Sequence, residues 1–303
     1  MSKYRNHLPQ LDGGLFLTDG GLETTLIFHD GLELPCFASF DLLREQSGRD
    51  LIRAYYDRYA AIAAENGVGF VLEAPTWRAN ADWGEKLGYS TEALAAANRE
   101  SVELMTEVRD RFETPSTPMV ISGCLGPRGD GYDPGDVMTA DEAEAYHAEQ
   151  IKTFRDTDAD MISAMTLTNV PEAIGIVRAA QAAVMPVIIS FTLETDGCLP
   201  TGQTLKEAIE AVDDATGTGP AYYMINCAHP SHFDGILDTD EAWIERIRAV
   251  RANASRRSHA ELDEAEDLDD GDPVEFGAEH RDLRRRHGHI NVFGGCCGTD
   301  HRH

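Results

Sequence analysis

Short apolar runs alternate with longer amphipathic stretches along nearly the whole chain, and that rhythm narrows the fold sharply. The apolar runs cover 15–21, 68–75, 118–126, 160–166, 186–193, 221–227, 250–255 and 290–296. Most are apolar throughout rather than at every second residue, which suits parallel strands covered on both faces. The stretches at 49–67, 90–112, 139–159, 171–184, 204–215, 241–247 and 275–287 carry helical spacing or helix-boundary signals. In the first of them Leu51, Ile52, Tyr55, Tyr59 and Ile62 fall on one face, and Gly67 is a stop signal. Ser90 is an N-cap, Thr139-Ala-Asp-Glu142 a capping box, and Pro171 a first-turn proline. Strands alternating with helices imply a parallel sheet, and eight such units close as a (β/α)8 TIM barrel. The rival is an open doubly wound sheet, but no Gly-x-Gly-x-x-Gly follows the first run.

No Pro-, Gly- or Ser-rich linker divides the chain, so residues 1–303 read as one barrel domain. The sequence stops at His303, just past the eighth run, so the expected barrel lacks its last helix. Within the domain lies an acidic loop, 256–274. Its segment 261–272 holds eight acidic residues in twelve, but the glycine falls at the wrong position for a calcium loop. A solvated loop is expected there.

The chain has 53 acidic and 26 basic residues and a net charge of −27. Nucleic acid and anionic membranes are poor partners for such a balance. The acids are spread over many helices, as on a halophilic, salt-adapted surface. No apolar run reaches a membrane span, and the first residues lack a signal segment, which points to a cytoplasmic protein with reduced thiols. Six scattered cysteines do not make a disulfide framework.

Barrel active sites form at the C-terminal ends of strands. Those ends carry Asp19, Glu73, Cys124, Thr166, Thr192 with Glu194, Asn226 with Cys227, Asn253, and Cys296 with Cys297. Neighbouring side chains on a strand oppose one another. Cys296 and Cys297 can therefore grip one ion only where the strand ends, and Gly294, Gly295 and Gly298 permit such a bend. Cys227 is distant in sequence and joins them only in a closed barrel. Three thiolates leave one position open on a tetrahedral zinc ion.

With Asp19-Gly20-Gly21, Gly126-Pro127, Asn226-Cys227 and Gly294-Gly-Cys-Cys-Gly-Thr299, nearly the whole chain resembles the zinc-dependent homocysteine S-methyltransferases, which use betaine or S-methylmethionine. The resemblance implies that Cys227, Cys296 and Cys297 hold Zn2+ and that the substrate thiol takes the fourth place. It also implies methyl transfer from a sulfonium or ammonium donor to homocysteine, giving methionine, with Asp19 near the bound acceptor. The expected substrate residues are Asp19, Gly20, Glu73, Trp77, Thr166 and Asn226, and no catalytic group beyond the zinc-activated thiol is assigned. A methyl-onium donor favours aromatic faces, which Trp77 offers, with Trp83 and Tyr89 in the same loop. Relatives commonly carry Glu after the fourth strand, where this chain has Met165-Thr166; Glu73 and Glu194 are the acids able to replace it.

Two alternatives keep the fold: methyl transfer to another thiol or from a corrinoid- or folate-linked donor, and a non-catalytic zinc-binding barrel. Cys36 and Cys198 read as structural or surface thiols and Cys124 as a buried one. His229 is a possible substitute ligand or proton carrier, His301 and His303 belong to a fraying terminus, and Asn253 is either a substrate donor or a turn residue. The expected partners are a small thiol and a methyl donor, with a homo-oligomer left open.

Overall fold

Runs that are apolar on both faces become strands where both faces are covered. The computed structural model describes residues 2–303. Its strands are β1 (Phe16–Leu17), β2 (Gly69–Glu73), β3 (Met119–Leu125), β4 (Met161–Leu167), β5 (Val187–Phe191), β6 (Tyr222–Asn226), β7 (Ile247–Ala252) and β8 (Val292–Gly295). They form a closed barrel in sequence order. β1 meets β8 in parallel through Phe16↔Val292 and Leu17↔Phe293. The architecture is the expected (β/α)8 barrel.

The helices are α1 (Leu22–Thr24), α2 (Gln46–Asn66), α3 (Ala81–Lys86), α4 (Thr91–Phe112), α5 (Ala140–Arg155), α6 (Val170–Ala182), α7 (Leu205–Thr216), α8 (Pro230–Leu237), α9 (His259–Asp263) and α10 (Pro273–Arg286). The boundary signals act where they stand. Ser90 accepts a hydrogen bond from the Ala93 amide at 3.2 Å, and Thr139 and Thr204 close full capping boxes.

Alternation along each strand separates two cores. Phe70 and Leu72 belong to the core shared with the helices, whereas Val71 joins Phe16, Val120, Met161, Ile188 and Val292 in the inner cluster. Leu8 belongs to that inner cluster too. The folded part therefore starts before residue 15, earlier than the apolar runs suggest. The Lys3 and Tyr4 amides each donate to Asp160 Oδ1 at 2.7 Å, and Arg109 pairs with the same carboxylate at 3.0 Å. This segment seals the end of the barrel opposite the strand C-termini.

Three further expectations are corrected. β7 begins at Ile247, not at 250, because its inward residues include Ala249 and Arg251. The stretch 241–247 supplies only a 3-10 turn, Ala242–Arg246, and the crossover helix before β7 is α8, capped by the His229 side chain. The acidic segment is not simply a solvated loop, since it contains α9 with a capping box at Ser258. Among the described residues no helix follows β8, and none is long and apolar enough to cross a membrane.

Candidate active site

β8 ends at Gly295, one residue before the vicinal cysteines. Cys296 and Cys297 are thereby freed from strand alternation, and Gly298 completes the turn at φ +79°. The start of the chain pins this turn. Gly295 donates to the Asp19 carbonyl at 3.0 Å, Gly21 to the Thr299 carbonyl at 3.1 Å, and Gly298 to Thr24 Oγ1 at 3.2 Å. A Cβ on Gly21 would stand 2.6 Å from the Cys296 carbonyl oxygen, so only glycine fits. The Asp-Gly-Gly and Gly-Gly-Cys-Cys-Gly-Thr segments are two halves of one joint.

Cys227 leaves β6 in the left-handed region at φ +54°. Its carbonyl is gripped from three sides. Asn253 Nδ2 donates to it at 3.1 Å, Thr192 Oγ1 at 3.4 Å, and His259 Nε2 lies 2.7 Å away. His259 Nδ1 in turn lies 3.1 Å from Glu194. Asn253, Thr192 and Glu194 therefore shape the turn at Cys227, and none of them is on the cavity wall.

The three sulfurs lie within 4.8 Å of one another. Cys227 and Cys296 are joined as a disulfide, with Cα atoms 5.4 Å apart, and Cys297 Sγ stands 3.9 Å from Cys227 Sγ. Turns at two strand ends on either side of β7 bring the Cα atoms into disulfide range. Two-electron reduction returns three thiols to one place. A Zn–S distance of about 2.3 Å sets tetrahedral sulfurs roughly 3.8 Å apart, which the Cys227–Cys297 spacing already matches. The reduced cluster fits the ion.

All six expected substrate residues, Asp19, Gly20, Glu73, Trp77, Thr166 and Asn226, line one cavity of about 440 Å³ together with the three cysteines. Trp83 and Tyr89 do not. Arg78 and Lys86 lie over the Trp83 ring at 4.0 and 3.7 Å, and Arg44 over Tyr89 at 4.0 Å, so these aromatics pack the loop. The acidic segment contributes Leu262, Asp263, Ala265 and Leu268 to the wall, because the chain folds back over the barrel mouth. Cys36 and Cys198 are outside the cavity wall, and Cys124 is buried on it. His229 caps α8 and stands apart from the sulfurs. His303 is not frayed: its Nε2 lies 2.9 Å from the Asp270 carbonyl, and its ring packs on Phe276.

Beneath the sulfurs lies a buried charge network. Arg251 pairs with Asp19 at 2.8 Å and donates to the Gly295 carbonyl at 3.1 Å and the Gly20 carbonyl at 3.2 Å. Burial alone would lower its pKa, but Asp19 and Glu73 hold it above the ordinary value. Burial pushes the Asp19 carboxyl up, and Arg251 pulls it back. Burial raises Glu73 to about 7, against the opposing effect of Arg251 and the hydroxyls of Ser122 and Ser163. Ser163 donates to Glu73 Oε1 at 2.9 Å, while the buried Oε2 has no protein hydrogen-bond partner.

Thr166 and Asn226 largely satisfy each other. The Thr166 amide donates to Asn226 Oδ1 at 2.9 Å, and Asn226 Nδ2 donates to Thr166 Oγ1 at 2.8 Å. These bonds hold Thr166 at φ +60°, a costly position for a β-branched residue.

Sequence reasoning missed Arg251, Tyr132, His259 and Arg78. Arg251 left a signal, a guanidinium inside an apolar run. Tyr132 left none: it sits in a loop, yet its hydroxyl lies 3.5 Å from Cys297 Sγ, and its ring stacks on His259 with centroids 4.0 Å apart.

The sequence profile of the homocysteine S-methyltransferase family matches residues 16–303. The selenocysteine Se-methyltransferase of Brassica oleracea var. italica is 24% identical over 315 residues, which is 95% of this chain and 86% of that protein. Homocysteine S-methyltransferase 1 of Arabidopsis thaliana is 21% identical over 310 residues, 95% of this chain and 90% of that protein. The metallated form of the homocysteine methyltransferase MmuM from Escherichia coli superposes with a TM-score of 0.74 at 18% identity. That match covers 97% of this chain and 95% of the other, and it speaks for the fold.

Proposed function

Because this chain belongs to the homocysteine S-methyltransferase family and is an S-methyltransferase, we propose that it moves a methyl group from a sulfonium or quaternary ammonium donor to the thiol of homocysteine, giving methionine. The observation that carries this reading is the convergence of three cysteine sulfurs, within 4.8 Å, on the wall of a cavity large enough for small substrates.

Cys227, Cys296 and Cys297 would hold one Zn2+ through their sulfurs, and the ion would supply the charge that ionises the acceptor thiol. A free alkyl thiol with a pKa of about 8.5 is only a few per cent ionised at neutral pH, and bound zinc supplies the missing thiolate. The rest falls to the chain's own residues. Glu73 holds the acceptor's ammonium group through its unpartnered Oε2. Glu194, the other acid considered for this role, is engaged with His259. Asp19 and Gly20 sit beside the sulfurs through the joint described above, and Arg251 holds Asp19 in place by an ion pair at 2.8 Å. Thr166 and Asn226 lock each other and give the acceptor a rigid wall. Trp77 faces the cavity and offers the donor an aromatic surface. No protein base is required once the acceptor is a thiolate, so alignment and exclusion of water are the protein's main contribution. The reducing cytoplasm suits a site that needs three open thiols.

The test uses reduced, zinc-loaded protein with homocysteine and either S-methylmethionine or glycine betaine, with methionine read by mass spectrometry. Stoichiometric zinc with no methionine from either donor would sink the proposal. Cys297→Ala is expected to lose zinc and activity together, and full zinc retention would disprove the three-sulfur site. One observation favours a second acceptor, a different small thiol: the C-terminal end of β4 carries Met165-Thr166 before Leu167, with no acid where the family resemblance implies one.

A further inference from the structure

The loop after β3 brings one aromatic hydroxyl against the cysteine cluster. Arg78 sets that loop. Its guanidinium lies between two indoles, 4.1 Å from the Trp77 ring centroid and 4.0 Å from that of Trp83, and Nη1 donates to the Gly129 carbonyl at 2.8 Å. Further along, the Tyr132 amide donates to Asp130 Oδ1 at 2.8 Å. The Tyr132 ring lies on His259, with centroids 4.0 Å apart and planes 17° from parallel. The same histidine grips the Cys227 carbonyl. The hydroxyl so placed stands 3.5 Å from Cys297 Sγ, on the wall of the cavity.

The three sulfurs are not treated alike. Cys227 is buried, whereas Cys296 and Cys297 are partly exposed. The donor near Cys296 is Asn226 Nδ2 at 3.9 Å, and that amide is already engaged with Thr166 Oγ1 at 2.8 Å. Cys297 has a hydroxyl. A tyrosine hydroxyl, with an ordinary pKa of about 10, keeps its proton at neutral pH, so towards a thiolate it can only donate.

A methyl donor that serves an acceptor thiol beside these sulfurs also comes within reach of them, and a cysteine thiolate is a nucleophile in its own right. Methylation of Cys297 would disable the site. Its sulfur forms a bond to the methyl carbon, the bond from that carbon to the onium atom breaks, and the electron pair stays on the onium atom, which becomes neutral. An uncharged thioether then replaces a thiolate ligand. A charge-assisted hydrogen bond opposes this step, because it is strongest to the full thiolate and weakens as methylation removes the charge. We propose that the Tyr132 hydroxyl shields Cys297 in this way, so that the methyl group goes to the acceptor and not to the enzyme. This rests on the methyltransferase reading above.

The experiment turns over reduced, zinc-loaded wild type and Tyr132→Phe with homocysteine and S-methylmethionine at matched zinc content. Phenylalanine keeps the ring on His259 and deletes only the hydroxyl. Peptide fragmentation in a mass spectrometer assigns any added methyl group to Cys296 or Cys297. Cys297 should be methylated about tenfold faster in Tyr132→Phe, as expected when part of one charge-assisted hydrogen bond is lost on the way to the transition state. Zinc should be released in step, and the rate at Cys296 should not change. Equal methylation of Cys297 in the two proteins, none included, or an equal rise at Cys296, overturns the proposal. Iodomethane, a methyl source that needs no binding site, separates this from the parent reading. If wild type makes no methionine from any donor, the reaction assignment fails, and Tyr132 is judged by iodomethane alone. The same acceleration at Cys297 then upholds the shield, and equal rates overturn it.

Discussion

Cys227 shows how much rests on one backbone dihedral. At φ +54° its sulfur leaves the strand plane and meets the vicinal pair, and three side chains hold its carbonyl there. Asn253→Ala should weaken zinc binding by about tenfold, the usual cost of losing a supporting contact around a metal ligand. Chelator competition measures this, and unchanged affinity would mean that the turn holds itself. Glu73 makes a pH prediction. Its carboxyl ionises near the ordinary 4.5 when unfolded and at about 7 in the buried site. Between those values the unfolded chain gives up a proton that the folded chain keeps, so stability falls as pH rises, and the full cost is present above the folded pKa. Relative to Glu73→Gln, wild type should lose up to roughly 3 kcal/mol across that window. Parallel pH profiles in chemical denaturation would refute this burial.

At the scale of elements, local signals and cross-barrel contacts divide the work. Thr204 and Glu207 close a capping box on α7 with no help from elsewhere. Thr204→Ala should cost about 1 kcal/mol in denaturant unfolding, with activity retained. The barrel's lower end is different. Asp160 binds Arg109, two amides of the N-terminal segment and the Ile121 amide, all near one buried carboxylate. Asp160→Ala strands a buried guanidinium and should destabilise the fold by roughly 3 kcal/mol or more. A loss below 1 kcal/mol would show that the N-terminal seal is dispensable. The two cases also mark what sequence reading can reach. Capping boxes span four residues and are visible in one window. α8 was missed because its cap is a histidine, outside the Ser, Thr, Asp and Asn set that marks most helix starts.

The whole molecule carries a net charge of −27. Self-repulsion among its acids is screened as ionic strength rises. The melting temperature should therefore climb between about 0.1 M and about 1 M salt, where the screening length falls from about 10 Å to about 3 Å. A flat or falling melting temperature would argue against a salt-adapted surface. At this scale the cavity is a joint product of distant segments. Asp19 follows the first strand, Cys297 follows the last, and Leu262 comes from an acidic stretch that sequence reading assigned to solvent.

The order of strands and helices, the closure into eight units and the grouping of three cysteines could be read from the chain, because apolar period, caps and strand-end polarity are local properties that burial imposes on neighbouring residues. Only tertiary structure decided that Arg251 neutralises Asp19, that His259 and Asn253 hold the Cys227 turn, that Tyr132 covers the sulfurs and that Arg78 is clamped between two indoles. Those contacts join residues far apart in sequence, and their energies depend on distances and burial that exist only after the barrel has closed.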